Sequence, residues 1–323
     1  MKKRQEIFYA KILLFGEYSV IHNSKGLIIP YSHFRGELAF LNKDRYTDVE
    51  FAKQSGIQLQ VYAKSLQESK KSAKLKVKIN VDTFIEDINE GLYFESTIPQ
   101  GYGLGSSAAL VASVYSKYVE DKIESRRHIS SNELLQLKHD FAELEAFFHG
   151  TSSGVDPLNS YIKYPVLIDG NNQFKTVGIP RSESGHDDAI FLLNTKKSRK
   201  TGPLVQLFLE KSKDKNYDKA IRQKLIPINN KCISSLIDGD LGEFRTNLKK
   251  LSEFQLEYFN EMIPDSCKSS WETGLNNDSY YLKLCGAGGG GFVLGFTNEF
   301  DKIKTELSNN SKEFISVYKS NGA

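Results

Sequence analysis

Ile98-Pro99-Gln100-Gly101-Tyr102-Gly103-Leu104-Gly105-Ser106-Ser107-Ala108-Ala109 decides how this chain is read. Three glycines at alternate positions lead into two serines and a small-residue apolar run through Val114. Glycine lets the backbone take positive φ and bring its N–H groups close to a ligand. Ser106 or Ser107 is placed to cap a helix that opens there. A helix start gathers unpaired N–H groups and partial positive charge, which suits a phosphate. Two readings fit the stretch alone: a phosphate seat, or a glycine turn ahead of a buried helix.

Bulk properties narrow the field. A chain of 323 residues favours two domains over one, and 39% hydrophobic content supplies real cores rather than the signature of disorder. Forty-three basic against 40 acidic residues leave a net charge of +3, which argues for neither a nucleic acid nor a membrane surface as partner. The run Lys196-Lys197-Ser198-Arg199-Lys200 reads as solvated, although it could frame the mouth of an anionic site. Cys232, Cys267 and Cys285 are odd in number and lack CxxC spacing, which argues against a disulfide framework or a zinc site. No stretch approaches the roughly 20 apolar residues of a membrane span, and the N-terminal apolar run is too short for a signal peptide. A cytoplasmic protein is the expectation.

Upstream of the glycine stretch, residues 7–15 read as an apolar strand interrupted by Lys11, which shares a face with Tyr9, Leu13 and Phe15. An unpaired ammonium is costly to bury, so Lys11 either reaches water or meets a carboxylate or phosphate. Gly16-Glu17 turns the chain, and residues 22–26 read as a hairpin loop. Strands are expected at 27–30, 36–41, 56–63, 75–81 and 92–96, with a polar loop at 64–74. On this reading the first hundred residues are mainly β.

Downstream, residues 107–120 are helical, and a second helix begins at Ser131, with Leu134, Leu137, Phe141, Leu144 and Phe148 as its apolar stripe. Glu145 falls about 60° from the stripe centre, at the margin of the buried face, and suits either a snorkelling role or a cationic ligand. The segment 149–157 then concentrates two glycines, three hydroxyls and Asp156. Strands at 166–168 and 174–179 close the first half, and a loop-like composition at 180–188 marks a domain boundary. The second half reads as a strand at 189–194, helices through 276, and a strand at 280–285. Six residues, Gly286-Ala287-Gly288-Gly289-Gly290-Gly291, then form a second glycine loop before a strand, a helix and a last strand. The order suggests an α+β sandwich. Walker A, Rossmann, protein-kinase and H-E-x-x-H motifs are all absent.

Four segments occur together in one order: Ala10-Lys11 to His22, Pro99 to Ala109, His149-Gly150-Thr151-Ser152-Ser153-Gly154-Val155-Asp156, and Lys283-Leu284-Cys285-Gly286 to Gly291. Jointly they resemble the GHMP kinase superfamily, most closely its mevalonate kinases, across essentially the whole chain. The resemblance implies an α+β two-domain GHMP kinase fold. Its N-terminal part, 1–182, is expected to be ribosomal-protein-S5-domain-2-like, and its C-terminal part, 183–323, a ferredoxin-like α/β sandwich. It further implies ATP-dependent transfer of the γ-phosphoryl group to a hydroxyl of mevalonate. A superfamily kinase for another small alcohol, such as phosphomevalonate or a sugar, and a catalytically silent ligand-binding relative are the alternatives.

Residue roles follow from the same resemblance. Asp156 corresponds to the catalytic aspartate that takes the acceptor proton, and Lys11 to the lysine that keeps this carboxylate ionised and stabilises developing charge. Glu145 and a loop serine, Ser107 in preference to Ser106, match Mg²⁺ ligands; both are hard oxygen donors. Pro99, Gly101, Gly103, Leu104, Gly105, Ser106, Ser107 and Ala108, with Gly286, Ala287 and Gly288, match the ATP-binding segments. Glu17, Tyr18, His22, Ser153 and Gly154 match the acceptor side. Tyr9-Ala10, Tyr18, Ser152 and Pro157 depart from the usual family residues, and these changes cluster near the acceptor rather than the nucleotide. The implied partners are a small hydroxy acid and a possible second copy in a homodimer, with no nucleic acid and no membrane.

Overall fold

A computed structural model describes residues 6–41, 48–125, 129–170, 173–180, 188–199, 201–309 and 313–319. β1 (Phe8–Phe15) leads through a 3-10 turn (Ser19–His22) into β2 (Lys25–Phe40). Then come α1 (Val49–Lys71), α2 (Val81–Asn89), β3 (Leu92–Ser96), α3 (Ser106–Tyr118), α4 (Ser131–His149) and α5 (Val155–Ile162). After β4 (Val166–Asp169), β5 (Phe174–Thr176) and β6 (Ala189–Asn194) the chain turns helical. This part holds α6 (Thr201–Lys211), α7 (Lys215–Ala220), a π-helical turn (Ile221–Leu225), α8 (Ile226–Asp238), α9 (Leu241–Tyr258) and α10 (Asp265–Asn277). β7 (Tyr280–Leu284), β8 (Phe292–Thr297), α11 (Phe300–Asn309) and β9 (Glu313–Lys319) complete it. One sheet has the order β1-β2-β4-β5, with β3 also on β2; the other runs β7-β8-β6-β9. The architecture is α+β.

The chain clusters into two compact units: Met1–Lys11, Pro30–Pro99 and Leu104–Tyr164 in one, and Ile12–Ile29, Gln100–Gly103 and Pro165–Ala323 in the other. β2 changes unit at Pro30. Its first part pairs antiparallel with β4 (Lys25↔Asp169) and its last part with β3 (Gly36↔Ser96). Proline has no N–H to donate, and Pro30 falls between the two ladders. The expected boundary at 182/183 lies outside the described residues.

In the first unit α3 is buried along most of its length, Ala108, Ala109 and Ala112 included, and it packs on α4 and α5. The α4 stripe of Leu134, Leu137, Phe141 and Leu144 is buried as its spacing implies. Phe141 meets Tyr115 and Tyr161 at ring distances of 4.7 and 5.5 Å. In the second unit β6 pairs with β8 and β9, and α9 and α10 pack on β7. Trp271 of α10 is fully buried and donates its indole N–H to the Ser252 carbonyl at 3.2 Å.

Three expectations for residues 56–81 are corrected. Residues 56–63 are not a strand, nor 64–74 a loop: both lie on the 23-residue α1, apart from its C-terminal exit beyond Lys71. Ile57, Leu59, Val61 and Ala63 alternate like a strand, but Ala52, Leu59, Tyr62, Ala63 and Leu66 are the buried set at helical spacing. Ile57 and Val61 are 61% and 53% exposed, and the Asp48 side chain caps the helix by accepting from Phe51 N–H. Residues 75–81 hold only an isolated bridge, Ile79↔Val119, before α2 begins. The first hundred residues are therefore mixed rather than mainly β.

Candidate active site

Lys11 lies in β1 with its backbone N–H donated to the Leu104 carbonyl at 2.9 Å, which ties the strand to the end of the glycine stretch. Its ammonium meets the Asp156 carboxylate, Nζ to Oδ2 at 2.8 Å; the Lys11 side chain is 9% exposed and that of Asp156 37%. The stranded lysine has thus found a carboxylate. Asp156 stands in the first turn of α5, whose N-cap is Gly154 in the left-handed region at φ 72°. A Cβ at Gly154 would collide with the Lys138 carbonyl oxygen and lie 2.7 Å from Ala142 N, so only glycine lets α5 start against α4. Ser153 accepts from Val155 N–H at 3.4 Å, within the same turn.

Glu145 is 3% exposed, deeper than its marginal helical position implied. Ser107 donates to its Oε1 at 3.4 Å and Ser152 to its Oε2 at 2.5 Å. Desolvation first, and the Asp156 charge second, push this carboxyl up to about 7, against the opposing pull of the Ser152 hydroxyl, Lys11 and Ser107. A cation would relieve that penalty. Among the described residues no cluster of three or more His, Cys, Asp or Glu side chains could cage a metal. A single carboxylate plus a hydroxyl suits Mg²⁺, which keeps waters and takes phosphate oxygens instead of an all-protein shell. Glu145 and Ser107 therefore fit the ion.

The helix start differs in one respect from the sequence reading. α3 begins at Ser106, its N-cap is Gly105 at φ 78°, and no side chain caps it. A Cβ at Gly105 would come within 2.9 Å of Lys11 Cγ. Neither serine serves as the cap, so Ser107 turns its hydroxyl to Glu145 instead.

Residues of the second unit meet the two glycine segments. Arg199 donates its backbone N–H to the Gly101 carbonyl at 3.1 Å and its Nη2 to the Cys285 carbonyl at 3.2 Å. Side chains at Gly103 or Gly286 would run into the same guanidinium. Arg199 Nε and Nη1 are buried without a hydrogen-bond partner. Glu17 pairs with Lys283, and Tyr18 donates to the Ala287 carbonyl at 2.6 Å. His22 Nδ1 lies 3.0 Å from Arg222 Nη2. A guanidinium has only donors, so Nδ1 accepts and Nε2 carries the proton, while burial and Arg222 hold the ring below its usual range.

The structure thus brings together Lys11, Ser107, Glu145 and Asp156, while Glu17, Tyr18 and His22 Nδ1 are engaged within the second unit and His22 Nε2 is buried without a hydrogen-bond partner. Sequence reasoning missed Ser152, noticed only where the family has proline, and Arg199, noticed only as part of a basic run.

Small-molecule kinases share the fold. L. major mevalonate kinase in complex with R-mevalonate superposes with a TM-score of 0.63 at 16% identity, covering 99% of this chain and 97% of that one. Lactococcus lactis galactokinase complexed with galactose gives 0.62 at 15%, covering 99% and 95%. Streptococcus pneumoniae phosphomevalonate kinase in complex with phosphomevalonate and AMPPNP gives 0.60 at 14%, covering 98% and 99%. No curated protein matches the chain in sequence. Residues 63–162 match the family described as GHMP kinases N terminal domain. Of the four motifs that resemble this superfamily, Pro99–Ala109 and His149–Asp156 lie within the matched residues, and the fold agrees with the resemblance. Among the described residues no helix is long and apolar enough to cross a membrane.

Proposed function

We propose that the protein transfers the γ-phosphoryl group of ATP to the primary hydroxyl of mevalonate. The observation that carries this reading is the Lys11–Asp156 pair: a carboxylate at the start of a helix, 2.8 Å from a buried ammonium yet still 37% exposed. Asp156 accepts the proton of the acceptor hydroxyl as its oxygen bonds to the γ-phosphorus; the bond from that phosphorus to the bridging oxygen breaks, and ADP leaves. Lys11 balances the Asp156 charge and stabilises negative charge on the attacking oxygen and the phosphoryl group. The uncapped start of α3 offers N–H groups to phosphate oxygens. Glu145 and Ser107 would hold Mg²⁺, which when bound supplies positive charge to those oxygens.

Arg199 is the cation best suited to an anionic group of a ligand, because two of its nitrogens are buried with nothing to bond. Ser152, which replaces the usual family proline and bonds Glu145, supports a second reading in which the acceptor is another small alcohol, such as phosphomevalonate or a sugar. A coupled ADP-release assay over mevalonate, phosphomevalonate, homoserine and hexoses separates these. Turnover with mevalonate is the expected result. Turnover with a different acceptor alone would overturn the acceptor and leave the kinase; no turnover with any, despite ATP binding, would point to a silent binding module.

A further inference from the structure

Cys285 and Ala287, at the start of the second glycine loop, are each held by a different side chain. The Cys285 carbonyl accepts from Arg199 Nη2 at 3.2 Å. The Ala287 carbonyl accepts from the Tyr18 hydroxyl at 2.6 Å. Behind them Lys283 donates to Glu17 Oε1 at 2.5 Å and to the Leu284 carbonyl at 2.7 Å. The two side chains of this pair are 0% and 1% exposed.

The turn that supplies Glu17 and Tyr18 is itself conformationally forced. Gly16 has φ 116°, and a Cβ there would come within 2.8 Å of Val20 Cγ1 and 2.9 Å of Gly26 Cα. Tyr18 has φ 60°, a left-handed conformation that a tyrosine rarely adopts unless its surroundings enforce it. Phe208 and Phe259 do so, with ring centroids 4.7 and 5.2 Å from that of Tyr18.

We propose that Glu17, Tyr18 and Lys283 are positioning residues that pre-set the second glycine loop for a nucleotide phosphate, rather than contacts to the acceptor. The assignment builds on the phosphoryl-transfer reading above. A run of glycines has much backbone freedom to lose when it closes on an anion. Fixing the loop beforehand removes that cost from binding, and engaging the carbonyls of 285 and 287 keeps their negative ends off the ligand. Neither Glu17 nor Tyr18 has to touch a substrate to do this.

Two readouts on the full chain test it: hydrogen exchange of the amides of residues 285–288 without ligand, and affinity for AMPPNP with Mg²⁺. Tyr18→Phe deletes one hydroxyl. The charge-neutral pair Glu17→Gln/Lys283→Met covers the case in which Lys283→Met alone fails to fold. In both variants the loop amides are expected to exchange about tenfold faster and the AMPPNP Kd to rise about fivefold, with the acceptor KM within about twofold of wild type. Unchanged exchange and AMPPNP affinity together with a raised acceptor KM would overturn the proposal and make these residues acceptor contacts. Faster exchange in a protein whose wild type binds no AMPPNP would sustain the frame and sink the phosphoryl-transfer reading instead.

Discussion

Lys11 and Lys283 each face a carboxylate, one in each unit, and the two pairs differ chiefly in access. Lys11 and Asp156 are 2.8 Å apart, and 37% of the Asp156 side chain is open to solvent. Lys283 and Glu17 are 2.5 Å apart, with side chains 0% and 1% exposed. On the proposed reading the same two chemical groups serve different ends. A base has to be reached by the hydroxyl it deprotonates, whereas a strut works best when nothing reaches it. Access also sets the energetics: a pair with one solvated partner contributes little to stability, while opening a sealed pair strands a charge in a low-dielectric interior.

Substitutions should separate the two pairs by what they damage. Lys11→Met is expected to lower kcat about 10²- to 10⁴-fold in the ADP-release assay, with a melting temperature close to wild type. A large loss of stability in that variant would erase the distinction. Lys283→Met is expected to destabilise by about 3–5 kcal/mol in denaturant unfolding, and adding Glu17→Gln to recover more than half of that loss. No recovery in the double variant would show that packing, rather than the stranded charge, is what Lys283 provides.

Glu145 offers a third, pH-dependent contrast. Folding raises its carboxyl from an ordinary 4.5 to about 7, so the native state favours the protonated form. That contribution is complete below about pH 4.5 and is lost as pH rises through about 7. Glutamine mimics the protonated side chain at every pH. Glu145→Gln should therefore match wild type near pH 4 and exceed it near pH 8 by on the order of 3 kcal/mol, in metal-free unfolding experiments. Equal stabilities at both pH values would contradict a carboxylate whose burial outweighs its hydrogen bonds. The smallest effect is expected from Ser152→Ala, which removes one hydroxyl from Glu145. It should weaken Mg²⁺-dependent AMPPNP binding by about fivefold or less, as one hydrogen bond implies.

Much of the candidate site was legible in the sequence because its residues break local patterns. A lysine in an apolar strand and a glutamate beside a helix stripe are both anomalies that a partner must resolve, and the structure supplies Asp156 for the first and two serines for the second. The sealed pair left no such trace. Glu17 and Lys283 are 266 residues apart, and neither local segment hints at the other. Arg199 was hidden for a related reason: within a basic run its charge looks ordinary until the guanidinium is seen packed on Gly103 and Gly286. In the fold, helices with a strong apolar stripe such as α4 could be read directly. α1 could not, because Ile57, Leu59, Val61 and Ala63 alternate with a strand's period, while the buried set at helical spacing, Ala52, Leu59, Tyr62, Ala63 and Leu66, shares only two of those residues.

The central claim is that Asp156 is the base of a phosphoryl transfer and that its role is chemical rather than structural. Asp156→Asn, assayed for ADP release with mevalonate and for AMPPNP affinity in the same preparation, tests it most directly. The account expects kcat to fall about 10³-fold while the AMPPNP Kd stays within about threefold of wild type. Turnover near the wild-type rate in that variant would contradict it.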